Sequence, residues 1–194
     1  SDYELLSEEN HCQIQVSAKW KNIKKIEKNK MAPMLIMAFD IECASLDGSF
    51  PQAERTKENI KDIRDDNPEL EIPNGYKGDE IIQIGLTISE LGKVGIVKKI
   101  ILTLKKTDKL DGIDVISYKS EVDLLMGFQK MVLKIDPDIV IGYNIFGFDW
   151  KYIYDRSIIL GCYKILCQLS RRPEHISKIT IKNLSSSALG ENIL

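Results

Sequence analysis

The 194-residue chain has only two histidines, His11 and His175, and four cysteines, Cys12, Cys43, Cys162 and Cys167, none at zinc-ligand spacing. That scarcity argues against a structural zinc site, and the cysteines read as reduced, partly buried thiols. No apolar run approaches the roughly twenty residues of a membrane helix, so no membrane partner is expected. The opening Ser1-Asp2-Tyr3-Glu4 has no basic and apolar leader, which predicts an intracellular protein, and the lack of an initiating Met predicts a piece of something longer. Neither sign of charge dominates: 27 basic residues face 29 acidic ones, a formal net of −2, which excludes a strongly basic nucleic-acid glove. A cleft that meets phosphate through bound metal is still allowed, because the cation supplies the charge. No GxxxxGK phosphate loop, Ser/His/Asp set or activated Cys is present. What is there is ordinary for one globular domain, 43% hydrophobic and 29% charged, long enough to bury a core.

Residues 1–33 read as a peripheral segment. Gln13, Gln15 and Ser17 alternate with Ile14, Val16 and Ala18, which suits one exposed strand. Six lysines between Lys19 and Lys30 read as a solvated face, with contact to a nucleic-acid backbone as the alternative. From residue 34 to 194 the pattern is that of one α/β domain. Met34 to Phe39 is a continuous apolar run, the signature of a central strand covered on both sides. Residues 46–79 are polar and rich in Pro and Gly; they read as an insertion without identifiable chemistry, with a charged helix from Ala53 to Asp66. Glu80 to Ser89 alternates as a half-buried strand with Ile82, Ile84, Leu86 and Ile88 on one face; Leu91-Gly92-Lys93 turns, and Ile96 to Leu104 returns antiparallel with Ile100, Leu102 and Leu104 inward.

The period then changes. Ser120 is a helix N-cap candidate, and Leu124, Leu125, Phe128, Met131, Val132 and Ile135 recur at three- and four-residue spacing. Asp136-Pro137 ends that helix, Asp138 to Ile141 is a short buried strand, and a second helix runs from about Asp149 to Leu160 with Trp150, Ile153 and Tyr154 inward and Gly161 as C-cap. Three antiparallel strands, helix, strand, helix is the order of a mixed-sheet, RNase H-like α/β domain.

Phe39-Asp40-Ile41-Glu42 ends the apolar run. Side chains two apart on a strand share a face, so Asp40 and Glu42 pair while Ile41 points into the core. About a hundred residues later Tyr143-Asn144-Ile145-Phe146-Gly147-Phe148-Asp149 places an amide, an aromatic ring and a third carboxylate where a strand gives way to a helix. Three acids from distant segments can hold two divalent metals, and hard oxygen ligands select magnesium or manganese. Asn144 offers donors and acceptors to a nucleotide edge or sugar, and Phe148 a surface for an unpaired base. Alone, each residue reads more simply as a strand end, a turn, a core ring or a helix-start acid.

Together the two segments resemble the exonuclease motifs of family B DNA polymerases. Ile81-Ile82-Gln83-Ile84-Gly85 is similar to the strand after the first motif, and Asp136-Pro137-Asp138 precedes the second as in that family. Ser49-Phe50-Pro51-Gln52-Ala53 and Ser185 to Asn192 look closest to the polymerases of large DNA viruses, and the resemblance covers about residues 31–194. It implies a DnaQ-like 3′→5′ proofreading exonuclease using two Mg²⁺ (or Mn²⁺) ions. Asp40 would bridge both metals, Glu42 would bind the ion that activates water and Asp149 would hold the second. Asn144 and Phe148 would position the frayed 3′-terminal nucleotide, with the backbone at Ile41 near its sugar. The implied partners are the single-stranded 3′ end of a primer–template, the remainder of a polymerase chain and a sliding-clamp processivity factor, at the nucleus or a viral replication site in the host cytoplasm.

The family's third motif, a Tyr followed four residues later by an Asp, is not found: Tyr152, Tyr154 and Tyr163 precede Arg156, Ile158 and Cys167, and no Asp follows Asp155. The C-terminal part of the fold is therefore expected to be missing, and the chain alone to be a weak or inactive nuclease. A catalytically silent RNase H-like module that binds single-stranded nucleic acid or braces a partner is the alternative reading, and a free-standing exoribonuclease of the same fold a third.

Overall fold

The computed structural model describes residues 3–6, 14–30, 32–172 and 175–179, and the backbone of 183–186 and 190–193. His11, Cys12, Gln13, Pro173, Thr180 and Ile181 lie outside the described residues. Two short strands, β1 (Tyr3–Leu5) and β2 (Val16–Ala18), pair antiparallel with every residue exposed. The lysine-bearing stretch that follows is exposed throughout, Trp20 and Ile23 included.

The main sheet is built from β3 (Leu35–Ala44), β4 (Glu80–Glu90), β5 (Lys98–Leu104), β6 (Asp114–Tyr118) and β7 (Ile139–Ile141), in the order β6-β5-β4-β3-β7. The expected meander β3–β4–β5 is antiparallel, whereas β6 joins β5 and β7 joins β3 in parallel. With its helices this is the mixed RNase H-like arrangement. β6 has no counterpart in the sequence reading: its five residues carry too little alternation to stand out, and pairing with β5 makes them a strand.

Ser120 caps α2 (Glu121–Ile135) by accepting from Asp123 N, and Asp136 ends it in the left-handed region at φ 49°. Leu124, Leu125, Phe128 and Val132 turn inward against Met37, Phe39, Ile84, Leu86 and Leu102, which form the core. α3 (Asp149–Ile159) buries Tyr152, Ile153, Arg156 and Ser157; the expected inward residues Trp150 and Tyr154 are only half-buried. A single turn, α4 (Tyr163–Leu166), follows.

Two expectations need correction. The strand 139–141 is not buried: Ile139 and Ile141 are 37% and 48% exposed, because β7 is an edge strand of three residues. The helix expected over 53–66 begins only at Lys57. Thr56 and Asn59 form a capping box there, and the backbone of residues 53–55 is engaged elsewhere, Ala53 O accepting from Arg156 Nη1 (3.0 Å) and Arg55 N donating to Lys77 O (2.8 Å).

The segment 46–79 divides in two. Its ends cross so closely that a Cβ on Gly78 (φ +148°) would stand 2.2 Å from Ala53 O. Its middle, residues 56–75, carries α1 (Lys57–Asp66), which buries Ile63.

Candidate active site

β3 divides its faces as its sequence dictates. Met37, Phe39 and Ile41 are buried in the core, and Asp40 and Glu42 emerge on the opposite side. A register shift between Glu42 and Cys43 leaves Ile82 of β4 as an extra residue, since Glu42 faces Gln83 and Cys43 faces Ile81. The burial alternation of β4 breaks there: Ile81, rather than Ile82, joins Ile84, Leu86 and Ile88 inside.

The outer edge of β3 is bracketed by two aspartates. β7 covers only Ile36, Met37 and Ala38. Before it, Leu35 N donates to Asp138 Oδ2 (2.9 Å). After it, the chain turns at Gly142, where a Cβ would lie 2.6 Å from Phe39 O, and then at Asn144, held at φ 52° with its carbonyl accepting from both Gly147 N and Phe148 N (3.0 Å each). Asn tolerates this left-handed geometry better than most residues. The turn delivers Asp149 to the first position of α3, 2% exposed, and its Oδ1 accepts from Ile41 N at 3.1 Å. The third acid thus ties itself to the backbone between the first two.

Burial pushes the Asp149 carboxyl up, while hydrogen bonds from Ile41 N and its own N–H pull it down and the negative charges of Asp40 and Glu42 push it up again; the net direction is up. Neither Asp40 nor Glu42 forms an ion pair with a described Lys or Arg. An all-oxygen donor set without a cationic partner among the described residues fits a hard divalent cation by its chemistry. Among the described residues, however, no three His, Cys, Asp or Glu are gathered at ligating spacing.

The remaining sequence-designated residues flank this set. Ile41 is buried and its N–H is already engaged by Asp149. Asn144 is exposed and its backbone builds the turn. Phe148 is half-buried between two rings, Phe50 at 5.4 Å and Tyr152 at 5.2 Å between centroids. Phe50, 73% exposed, comes from the 46–79 segment, whose polar sequence carries no recognisable chemistry of its own. Only its place beside Pro51, in a stretch with family resemblance, hinted at it.

The sequence matches the family described as DNA polymerase family B, exonuclease domain, over residues 2–63 and 61–192, the two stretches meeting inside α1. Among curated relatives, the DNA polymerase of Acanthamoeba polyphaga mimivirus is 41% identical over 154 residues, 79% of this chain and 8% of its own length. The DNA polymerase delta catalytic subunit of Dictyostelium discoideum is 35% identical over 180 residues, 92% of this chain and 14% of its own. The DNA polymerase of Pyramimonas orientalis virus is 29% identical over 295 aligned residues, covering 96% of this chain and 24% of its own. The chain spans at most about a quarter of the length of these relatives. It belongs to the exonuclease-domain family of the family B DNA polymerases.

Proposed function

We propose that the chain is the 3′→5′ proofreading region of a DNA-directed DNA polymerase, removing mispaired 3′-terminal nucleotides by two-metal phosphodiester hydrolysis. The observation that carries this reading is the Asp149–Ile41 hydrogen bond, which ties a buried carboxylate to the backbone between Asp40 and Glu42. Neither of those two acids pairs with a Lys or Arg among the described residues. Asp40, Glu42 and Asp149 would hold two Mg²⁺ or Mn²⁺ ions, which supply charge neutralisation at the scissile phosphate and an activated water. The chain's own residues do the rest. Ile41 N–H fixes the orientation of Asp149, Asn144 presents its exposed amide to the terminal nucleotide, and Phe148 backs an unpaired base. The two exposed acids act as ligands, not as a general acid/base pair. The substrate is the single-stranded 3′ end of a primer–template. The partners are the remainder of a polymerase chain and a sliding clamp, and the place of action is the nucleus or a viral replication site in the host cytoplasm. Among the described residues no helix is long and apolar enough to cross a membrane.

The test is manganese-dependent release of 3′-terminal nucleotides from single-stranded DNA, alongside Mn²⁺ affinity, for the wild-type chain, Asp40→Ala and Asp149→Ala. Weak release is expected, since the lack of a water-orienting tyrosine costs on the order of 10² to 10⁴ in rate. Both release and Mn²⁺ affinity should fall in the variants. Release indifferent to Asp40→Ala, or Mn²⁺ affinity unchanged in both variants, would overturn the proposal. A catalytically silent nucleic-acid-binding module is the second reading, favoured by the acids not standing at ligating spacing; oligonucleotide binding without any Mn²⁺ dependence would select it.

A further inference from the structure

We propose that Asp79, clamped by Arg55, is a positioning residue that locks the chain leaving β3 to the first turn of α3, and so sets the seat of Phe50 on Phe148 and the approach of Asp149 to Asp40 and Glu42. The inference rests on the exonuclease reading of those three acids.

Asp79 is fully buried, one residue before β4. Its Oδ1 accepts from Leu46 N (2.9 Å) and Tyr76 Oη, and its Oδ2 from Gln52 N (2.8 Å) and Arg55 Nη2 (3.0 Å). A carboxylate has about four lone-pair sites, and here all four are filled. Its main chain adds two more ties: Asp79 N donates to Gln52 O (2.8 Å), and Asp79 O accepts from Tyr152 Oη (3.0 Å). Those partners are the elements that carry the site. Leu46 lies two residues past the end of β3. Gln52 closes the turn that holds Phe50, and Tyr152 sits three residues after Asp149 on α3 and packs against Phe148. Arg55 extends the clamp to Asp47 (3.0 and 3.2 Å) and Ser49 Oγ (3.1 Å), the residue before Phe50.

Stability alone does not account for this cluster. Buried ion pairs return little net stability, and here the buried Arg55 Nε has no hydrogen-bond partner among the described residues. What four directed bonds into one carboxylate do supply is a fixed geometry for the two limbs around it. In Asp79→Asn one oxygen becomes an NH₂ that faces two of the four donors whichever way the amide turns. Of the four only Tyr76 Oη can reverse and accept, so at least one bond breaks and the charge opposite Arg55 is lost.

The experiment uses the 194-residue chain with 4-fluorophenylalanine. It has five phenylalanines, so ¹⁹F spectra carry five signals, with the core pair Phe39 and Phe128 as internal references. Asp79→Asn should shift and broaden Phe50 and Phe148 while Phe39 and Phe128 stay in place. It should also lower Mn²⁺ affinity about tenfold. Val132→Ala, compared at equal loss of urea midpoint, should change Mn²⁺ affinity less than twofold. Unmoved Phe50 and Phe148 signals, movement of all the assigned signals together, or equal Mn²⁺ loss in the two variants overturns the proposal. If the wild type binds no Mn²⁺, the exonuclease reading fails by itself, and the fluorine spectra still decide whether Asp79 positions this loop.

Discussion

Glu121 and Arg156 form a buried ion pair, each 4% exposed, and removing one partner should cost more than removing both. Arg156 Nε donates to Glu121 Oε1 (2.8 Å), and Arg156 Nη2 also pairs with Glu121 Oε2. Ile81 N donates to the same Oε1 (2.9 Å), and Arg156 Nη1 reaches Ala53 O (3.0 Å). The pair therefore joins α2, α3, the start of β4 and the base of the 46–79 segment. Glu121→Ala leaves a guanidinium buried without its counter-charge, a loss of about 3–5 kcal/mol. A domain of this size holds about 5–15 kcal/mol in all, so the variant should sit near the edge of folding. In Glu121→Leu with Arg156→Met both desolvation penalties vanish. Only Ile81 N–H and Ala53 C=O are left unpaired, about 1 kcal/mol or somewhat more each. The double variant should thus lose about 2–3 kcal/mol, less than either single one. Urea unfolding followed by far-ultraviolet circular dichroism, with all variants fitted to a common m, measures the cycle. A single variant losing under about 1 kcal/mol, or a double variant losing the sum of the singles, would refute the reasoning.

Three further outcomes are expected. Burial alone would push the Asp79 carboxyl up, but Tyr76, the Gln52 and Leu46 N–H groups and Arg55 together hold it below the usual range. Its stabilisation is therefore present above about pH 4 and lost as pH falls through the lower folded value. The stability gap between wild type and Asp79→Asn should narrow below about pH 4, and a gap constant from neutral pH to pH 3 contradicts this. Burial, reinforced by the charges of Glu121, Asp149 and Glu42 and opposed by a hydrogen bond with Tyr152, pushes the Cys43 thiol up to about 12. Its thiolate fraction at pH 8 is then about 10³-fold below that of an ordinary cysteine, and mass-spectrometric iodoacetamide labelling should find Cys43 protected in the native chain and reactive in urea. Finally, the lysine stretch is a solvated face: Lys24, Lys25 and Lys28 changed together to Gln should leave the salt dependence of oligonucleotide binding within about one unit of log–log slope, whereas three phosphate contacts would remove about two.

The fold was legible wherever one period ran long enough. Ile84, Leu86 and Ile88 of β4, Ile100 and Leu102 of β5, and Leu124, Leu125, Phe128 and Val132 of α2 are buried as their periods predict. The β4 alternation fails at Ile82, where the register shifts, and β5 buries Thr103 and leaves Leu104 half-buried. Short elements escaped for the opposite reason: β6 exists through its pairing with β5, and the three residues of β7 give no clue that they stand at an edge. The acid pair Asp40–Glu42 needed only the two-residue strand repeat. That Asp149 would close on Ile41 N–H was not legible, since a turn through Gly142 and Asn144 decides it. Least legible was the base of the 46–79 segment. Arg55 and Asp79 are separated by a charged helix and two prolines, and nothing local in either one announces a shared buried cluster.

The bond from Ile41 N–H to Asp149 spans 108 residues of chain. Closing such a loop is entropically costly, and here it must wait for α2 and β7 to assemble between the two partners. Repulsion among the three carboxylates is then expected to arise late in folding, once the core has condensed. If Asp40, Glu42 and Asp149 hold a divalent ion as proposed, that ion has no assembled site until this contact closes. Added during refolding, it should slow unfolding without hastening collapse, so ion affinity gained over time reads out the completion of folding itself.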